Sequence, residues 1–149
     1  MFNLSTSRLY DQNTFYDAFL RDLRHAKSRV VIESPFITER RTAALFPILE
    51  GLRKRNVRII INTKPFEEHE RAYRDQAVSA VGSMQDIGVE VLLTSGHHRK
   101  IAIIDDDILY EGSLNILSQN DSCELMRRIQ DGAVVTVMLK FTDLRKWCK

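Results

Sequence analysis

Cysteine is scarce in this chain of 149 residues, which has only Cys123 and Cys148. The two form no C-x-x-C pair and no spacing typical of a metal site, so we expect neither a disulfide framework nor a zinc centre. Long apolar runs are also missing. No stretch reaches the 18 residues of a membrane span, and the N-terminal MFNLSTSRLYDQNTF lacks the apolar core of a secretory signal. These absences indicate a cytoplasmic protein with reduced thiols and no membrane partner.

The chain also lacks a large excess of charge of one sign, because it has 22 basic and 20 acidic residues and a net charge of +2. A net charge this close to zero neither implies nor excludes a nucleic-acid partner, since local basic patches matter more than the net charge. No linker or repeat divides the sequence, and its length fits one domain over residues 1–149. A helical pattern runs almost to Lys149, which leaves open that this domain is excised from a longer protein.

Apolar runs that end at proline or polar residues predict strands in RVVIESPF, which is expected to be buried, and in NVRIIINTKP and GVEVLLTS. Helical spacing of apolar residues predicts a helix over residues 13–26, before the first strand, and another over 39–55, between the first two. A polar helix is predicted over residues 67–86, before the third strand. KIAIID and DILYEGS predict a hairpin, CELMRRIQ is compatible with a strand, and AVVTVMLKFTDLRKW favours a helix. This order predicts an α/β fold, with a mostly parallel mixed sheet flanked by helices on both faces.

The predicted hairpin collects chemically useful side chains at one end. His98 and Lys100 are two residues apart and therefore share a face, as do Ser113 and Asn115 on the returning strand. An imidazole is a nucleophile or proton carrier near neutral pH, and an ammonium, a hydroxyl and an amide suit phosphate oxygens. Gly112 allows substrate or backbone to approach closely. The set indicates phosphoryl-group chemistry without a metal.

The spacing His98-x-Lys100-x4-Asp105-x6-Gly112-Ser113-x-Asn115 resembles, without a gap, the HKD signature of the phospholipase D superfamily. Six specified residues at average usage arise by chance in such a chain about once in a million. The resemblance implies a phospholipase D-like fold in which one histidine attacks phosphorus and a second protonates the leaving oxygen. Because the chain has one such motif, it also implies a homodimer with the two copies of His98 facing each other.

Roles for the remaining site residues follow from the same resemblance. Lys100 and Asn115 would hold phosphate oxygens with help from Ser113, and Glu124 would orient His98 and fix its tautomer. Asp105 belongs to the motif but is expected to act as a structural acceptor in the turn. No metal ion or other cofactor is implied.

Other polar residues have ordinary interpretations. His97 points away from His98, and the pair is poorly placed to chelate one ion. Asp105, Asp106 and Asp107 suit a turn, and His69 is expected on a solvated helix face. Lys64, at the carboxyl end of a predicted parallel strand, is a candidate phosphate contact. Basic residues at 40–41, 53–55 and 127–128 are either basic surface for nucleic acid or solvated helix ends.

Three functions compete on this basis. The first is a metal-independent phosphodiesterase, specifically an endonuclease for which DNA is favoured over RNA. The second is a phospholipid phosphodiesterase or transferase, which would need an apolar surface to reach lipid. The third is a non-catalytic nucleic-acid-binding module of a larger restriction, repair or helicase-linked protein. Tight, salt-dependent binding without turnover would identify the third.

Overall fold

Seven strands and four α-helices form between residues 7 and 148, the part of the chain described by the computed structural model. The strands are β1 (Ser7–Asp11), β2 (Arg29–Glu33), β3 (Arg58–Thr63), β4 (Glu90–Leu93), β5 (Ile101–Ile104), β6 (Ile108–Gly112) and β7 (Leu125–Gln130). The helices are α1 (Phe15–Arg24), α2 (Glu39–Lys54), α3 (Arg74–Asp86) and α4 (Gly132–Phe141). Short 3-10 turns lie at Phe66–Glu68, Arg71–Tyr73 and Leu144–Trp147.

All seven strands join one mixed sheet in the order β1-β7-β6-β5-β2-β3-β4. Strands β2, β3 and β4 are parallel because α2 and α3 carry the chain back between them. The other four of the six strand pairs are antiparallel. The prediction of a mixed sheet is therefore confirmed, but the prediction that it is mostly parallel is wrong. Crossover helices connect only three of the strands, whereas β5 and β6 form a hairpin that β7 and β1 extend.

Helices cover both faces of the sheet, as predicted. Alternate strand residues point to opposite faces, so Val30 and Ile32 of β2 pack in the core beneath α1, α2 and α3. Val31, between them, packs on the other face, against Val135 and Leu139 of α4. Helix α4 is short and leaves uncovered the part of this sheet face near β1 and β7. Leu9 is 57% exposed there, and Leu125 is 53% exposed.

Two elements differ from the sequence-based expectations. The helix predicted over residues 67–86 begins only at Arg74, and two 3-10 turns precede it. His69 in that segment is buried rather than solvated, since its ring packs against Phe36 and Phe66, and its Nε2 donates to the Lys64 carbonyl oxygen over 3.0 Å. The C-terminal helix stops at Phe141, and Asp143 adopts a left-handed φ of 60° before the last turn. None of the helices between residues 7 and 148 is long and apolar enough to cross a membrane.

Candidate active site

The antiparallel pairing of β5 with β6 brings the two halves of the motif together. Ile101 at the start of β5 lies opposite Glu111 near the end of β6. Residues just before β5 therefore lie beside residues just after β6. This arrangement gathers the predicted site residues around one open cleft of about 800 Å³, lined among others by His98, Lys100, Gly112, Ser113, Asn115 and Glu124.

His98 and Lys100 lie in the segment that leads into β5 rather than in the strand itself. Both line the cleft, as their shared face predicts, whereas His97 turns inward and is buried. The alternation is not strict, because Arg99 between them also lines the cleft. The Lys100 ammonium donates to the His98 carbonyl oxygen over 2.8 Å, which fixes the lysine beside the imidazole. The motif thus presents one imidazole and one ammonium to the same space.

Electrostatics in the cleft favours an unprotonated imidazole. The positive charge of Lys100 lowers the pKa of His98 below 6.5, and partial burial and the charge of Lys64 lower it further. Burial also lowers the pKa of Lys100, against the opposing charge of Glu124. A neutral imidazole with a free electron pair beside a cationic group is the arrangement that nucleophilic attack on a phosphate requires.

The segment after β6 contributes close backbone packing. A Cβ atom on Gly112 would overlap the Leu125 carbonyl oxygen and lie 2.9 Å from the Met126 Cα atom, so glycine here permits the approach of β7 rather than of a ligand. The Ser113 hydroxyl oxygen accepts from the Leu125 amide over 3.0 Å, which ties the same two strands together. Asn115 follows with a buried Oδ1 that accepts no hydrogen bond within residues 7–148.

Glu124 lies in the cleft but does not bond to the imidazole in this chain. Its Oε1 accepts from the Ser122 hydroxyl over 3.0 Å, and its charge acts on Lys100. No hydrogen bond joins Glu124 to His98 among the described residues. The orienting role that the resemblance implies for Glu124 therefore stays a prediction.

Asp105 occupies the opposite end of the hairpin and is bonded to the loop before β2. Its carboxylate accepts hydrogen bonds of 2.8–3.3 Å from the backbone N–H groups of Lys27, Ser28 and Arg29 and one of 3.0 Å from the Ser28 hydroxyl. Burial acts to raise the pKa of Asp105, but these bonds outweigh it and the pKa lies below 3.8. Its φ of 55° shows that the residue also forms the tight turn. This is the geometry of a structural acceptor.

A buried polar cluster that the sequence analysis missed supports the segment carrying His98. Glu33, at the end of β2, is fully buried, and its carboxylate accepts from Arg99 Nε and Nη2 over 2.8 and 2.9 Å. Asn62 Nδ2 also donates to Glu33 over 2.8 Å, while the Asn62 Oδ1 accepts from the Thr94 hydroxyl over 2.7 Å. His97 Nδ1 lies 3.9 Å from the same carboxylate. The only sequence signal was a carboxylate directly after the apolar residues of β2.

The remaining candidates lie outside the cleft wall or have structural partners. Lys64 does not line the cleft, although its charge reaches both His98 and Lys100. Of the candidate basic surface, Arg127 lines the cleft, whereas Arg128 pairs with Asp22 over 2.7 Å. Three further arginines donate to backbone carbonyl oxygens: Arg41, Arg53 and Arg55.

No group of three His, Cys, Asp or Glu side chains within residues 7–148 is arranged to hold a metal ion. His97 and His98 face opposite sides of their segment, and the carboxylates of Asp105 and Asp106 are occupied by backbone N–H groups and by Arg29. Independence of the chemistry in this cleft from a metal ion stays a prediction.

Comparison with known proteins agrees with this geometry. The family model described as "Cardiolipin synthase, PLD-like domain" matches residues 19–143, and the chain belongs to this family of phospholipase D-like domains. No curated protein sequence matches the chain.

Solved structures show the same fold at low sequence identity. Nuc from Salmonella typhimurium, described as a phospholipase D family member, superposes with a TM-score of 0.77 at 16% identity, covering 95% of this chain and 94% of Nuc. NucT from Helicobacter pylori gives a TM-score of 0.75 at 18% identity, covering 95% and 96%. Phosphatidylserine synthase from Haemophilus influenzae gives 0.65 at 12% identity, covering 96% of this chain and 38% of the synthase.

Proposed function

We propose that this protein is a metal-independent phosphodiesterase that hydrolyses nucleic-acid phosphodiester bonds, with DNA as the favoured substrate. The observation that carries the proposal is the convergence of His98, Lys100, Ser113 and Asn115 on one open cleft. The structural similarity to Nuc and NucT supports it. The cleft combines a neutral nucleophile with cationic and amide groups that stabilise charge on phosphate oxygens.

The reaction proceeds in two balanced steps. An unprotonated ring nitrogen of His98 attacks phosphorus, a P–N bond forms, and the P–O bond to the leaving strand breaks while a second, protonated imidazole gives its proton to the departing oxygen. Water then attacks the phosphohistidine and loses a proton to that second imidazole, and the P–N bond breaks. Lys100 and Asn115 hold the non-bridging oxygens in both steps.

The second imidazole requires a second copy of the chain, because residues 7–148 place only His98 in the cleft. The uncovered sheet face around Leu9 and Leu125 borders this cleft, and both leucines line it. Exposed apolar side chains beside an incomplete site suit a symmetric contact, in which the same patch meets itself across a two-fold axis. The proposed active unit is therefore a homodimer with the two copies of His98 facing each other.

The decisive experiment incubates the purified protein with labelled DNA, RNA and phosphatidylcholine vesicles in excess EDTA. We expect cleavage of nucleic acid, its loss in His98→Ala, and no change in His25→Ala, which removes an exposed histidine of α1's C-terminal end. Acid-labile phosphate trapped on the wild type but not on His98→Ala would identify the intermediate. Activity that EDTA abolishes would contradict the proposal.

A phospholipid substrate is the second candidate. The family model is described for cardiolipin synthase, and Leu9 and Leu125 give the cleft an apolar border. Release of the headgroup from vesicles without nucleic-acid cleavage would favour this alternative. Tight, salt-sensitive DNA binding with no turnover of either substrate would instead indicate the non-catalytic module.

A further inference from the structure

A second cleft of about 450 Å³ lies beyond the carboxyl ends of β2 and β3. Its walls come from the segment after β2, the segment before α3, and residues 118–120, which closely follow Asn115. Lys64 lies near both clefts: its Nζ lies 4.8 Å from the centroid of the Phe36 ring, which lines the second cleft, and its charge acts on His98 in the first. The first cleft lies at the same edge of the sheet, because Ile101, which directly follows Lys100, pairs with Glu33 at the end of β2.

The walls combine aromatic rings with groups that make directional hydrogen bonds. Phe36 and Tyr73 are the aromatic residues, and Tyr73 is 45% exposed. Arg40 and Asn120 bond to each other over 3.2 Å at the rim. One basic residue, Arg40, and one acidic residue, Glu70, line the cleft, so it has no excess positive charge with which to hold a phosphate.

A buried histidine that lines this cleft, His69, has an unpaired hydrogen-bond acceptor. His69 is 3% exposed, and its Nε2 lies 3.0 Å from the Lys64 carbonyl oxygen, so that nitrogen carries the proton. The other ring nitrogen, Nδ1, is then an acceptor, and it has no hydrogen-bond partner within residues 7–148. The Nδ1 atom itself is covered in this structure, so an N–H group in the cleft can reach it only if neighbouring side chains, which include the rings of Phe36 and Phe66, shift. Because buried acceptors are almost always paired in native structures, this unpaired one favours a ligand that carries an N–H group.

Resting on the proposed nuclease function, we propose that this second cleft binds one unstacked nucleobase of a single-stranded nucleic acid, adjacent to the phosphate held in the first cleft. Every nucleobase has a flat ring that stacks on aromatic side chains and at least one N–H group at its edge. A base that is paired and stacked within a duplex cannot enter such a cleft without being flipped out. The substrate class is therefore single-stranded nucleic acid.

The test compares three labelled 12-mers that carry the same backbone: a mixed-base single strand, a fully abasic single strand, and a duplex. Fluorescence anisotropy with His98→Ala protein gives the Kd of each while the strands stay intact. We expect the mixed-base strand to bind about tenfold or more tightly than the abasic one, the gain that stacking of one base supplies. Wild-type protein should likewise hydrolyse the single strand faster than the duplex.

Tyr73→Ala, introduced into the His98→Ala protein, should remove most of this preference and leave the Kd for the abasic strand unchanged. Tyr73→Phe should retain the preference because it keeps the ring. Trp147→Ala is the matched control, since Trp147 is 41% exposed and lies in the last 3-10 turn, away from the cleft. Thermal unfolding of each variant checks that the fold is intact.

Equal affinity for mixed-base and abasic strands, or an equal loss on both in Tyr73→Ala, would overturn the inference. Wild-type hydrolysis of both strands alongside such equal binding would leave the proposed function standing without it. Conversely, base-dependent binding with no hydrolysis of any strand would contradict the proposed function and support this site.

Discussion

Removing Arg99 tests whether the buried cluster holds the segment that carries His98. In Arg99→Ala, the Glu33 carboxylate loses the two hydrogen bonds of 2.8 and 2.9 Å and keeps only the one from Asn62. Breaking a buried ion pair by removing one partner costs about 3–5 kcal/mol. Because 46% of the Arg99 side chain is exposed, water reaches the vacated space, and we expect a loss of about 3 kcal/mol in the free energy of unfolding.

A double variant distinguishes an uncompensated charge on Glu33 from a simple loss of packing, because the two causes predict opposite changes in the free energy of unfolding relative to Arg99→Ala. Adding Glu33→Gln to Arg99→Ala removes the uncompensated charge and keeps an acceptor for Asn62, so the double variant should be more stable than Arg99→Ala alone. Urea unfolding followed by circular dichroism gives both free energies by linear extrapolation. A loss below about 1 kcal/mol in Arg99→Ala, or a double variant that is less stable than the single one, would refute the proposed role of the pair.

Three further outcomes follow from the site and its supports. Asp105→Asn tolerates the left-handed backbone but weakens the charged acceptor, so we expect a loss of about 1.5–3 kcal/mol at pH 7 in urea unfolding. The folded-state pKa of Asp105 is depressed, so this difference should be complete above pH 3.8 and shrink as the pH falls below it; a difference that does not change with pH would contradict the assignment. Gly112→Ala should cost about 1–3 kcal/mol and lower the Tm, because its Cβ meets the β7 backbone; an unchanged Tm would refute that contact. Lys64→Met removes a positive charge near His98, so the pKa of His98 should rise in an NMR titration, and a fall or no change would show that the charge does not act there.

Much of the fold is accessible from sequence because its central strands are continuous apolar runs. β2 and β3 read as buried strands, and the helices between them impose parallel pairing. β1 was missed because SRLYD shows no clear apolar alternation, and it is a strand only through pairing with β7 at the other end of the chain. The excess of antiparallel pairs was missed for the same reason, since contacts distant in sequence decide it.

The candidate site likewise has a part that local sequence predicts and a part that depends on contacts distant in sequence. The convergence of His98, Lys100, Ser113 and Asn115 follows from period-two geometry in one hairpin, which is local information. The ion pair of Glu33 and Arg99 cannot be predicted from local sequence. It depends on β5 lying beside β2, where Glu33 faces Ile101 in the antiparallel register. Sequence pattern alone gives no sheet order, so neither partner stood out.

The placement of Asp105 and His98 at opposite ends of one hairpin gives the intervals between the motif residues a mechanical meaning. The four residues separating Lys100 from Asp105 are β5 itself, and the six between Asp105 and Gly112 are the rest of the turn and all of β6 except Gly112, its last residue. Inserting a single residue into β5 would shift the segment before the strand by one position, so that His98 would take the inward place that His97 now holds. Length changes in this hairpin therefore preserve the facing of the side chains only in steps of two residues. Even then, either the hydrogen bonds of Asp105 or the position of His98 in the cleft would be lost.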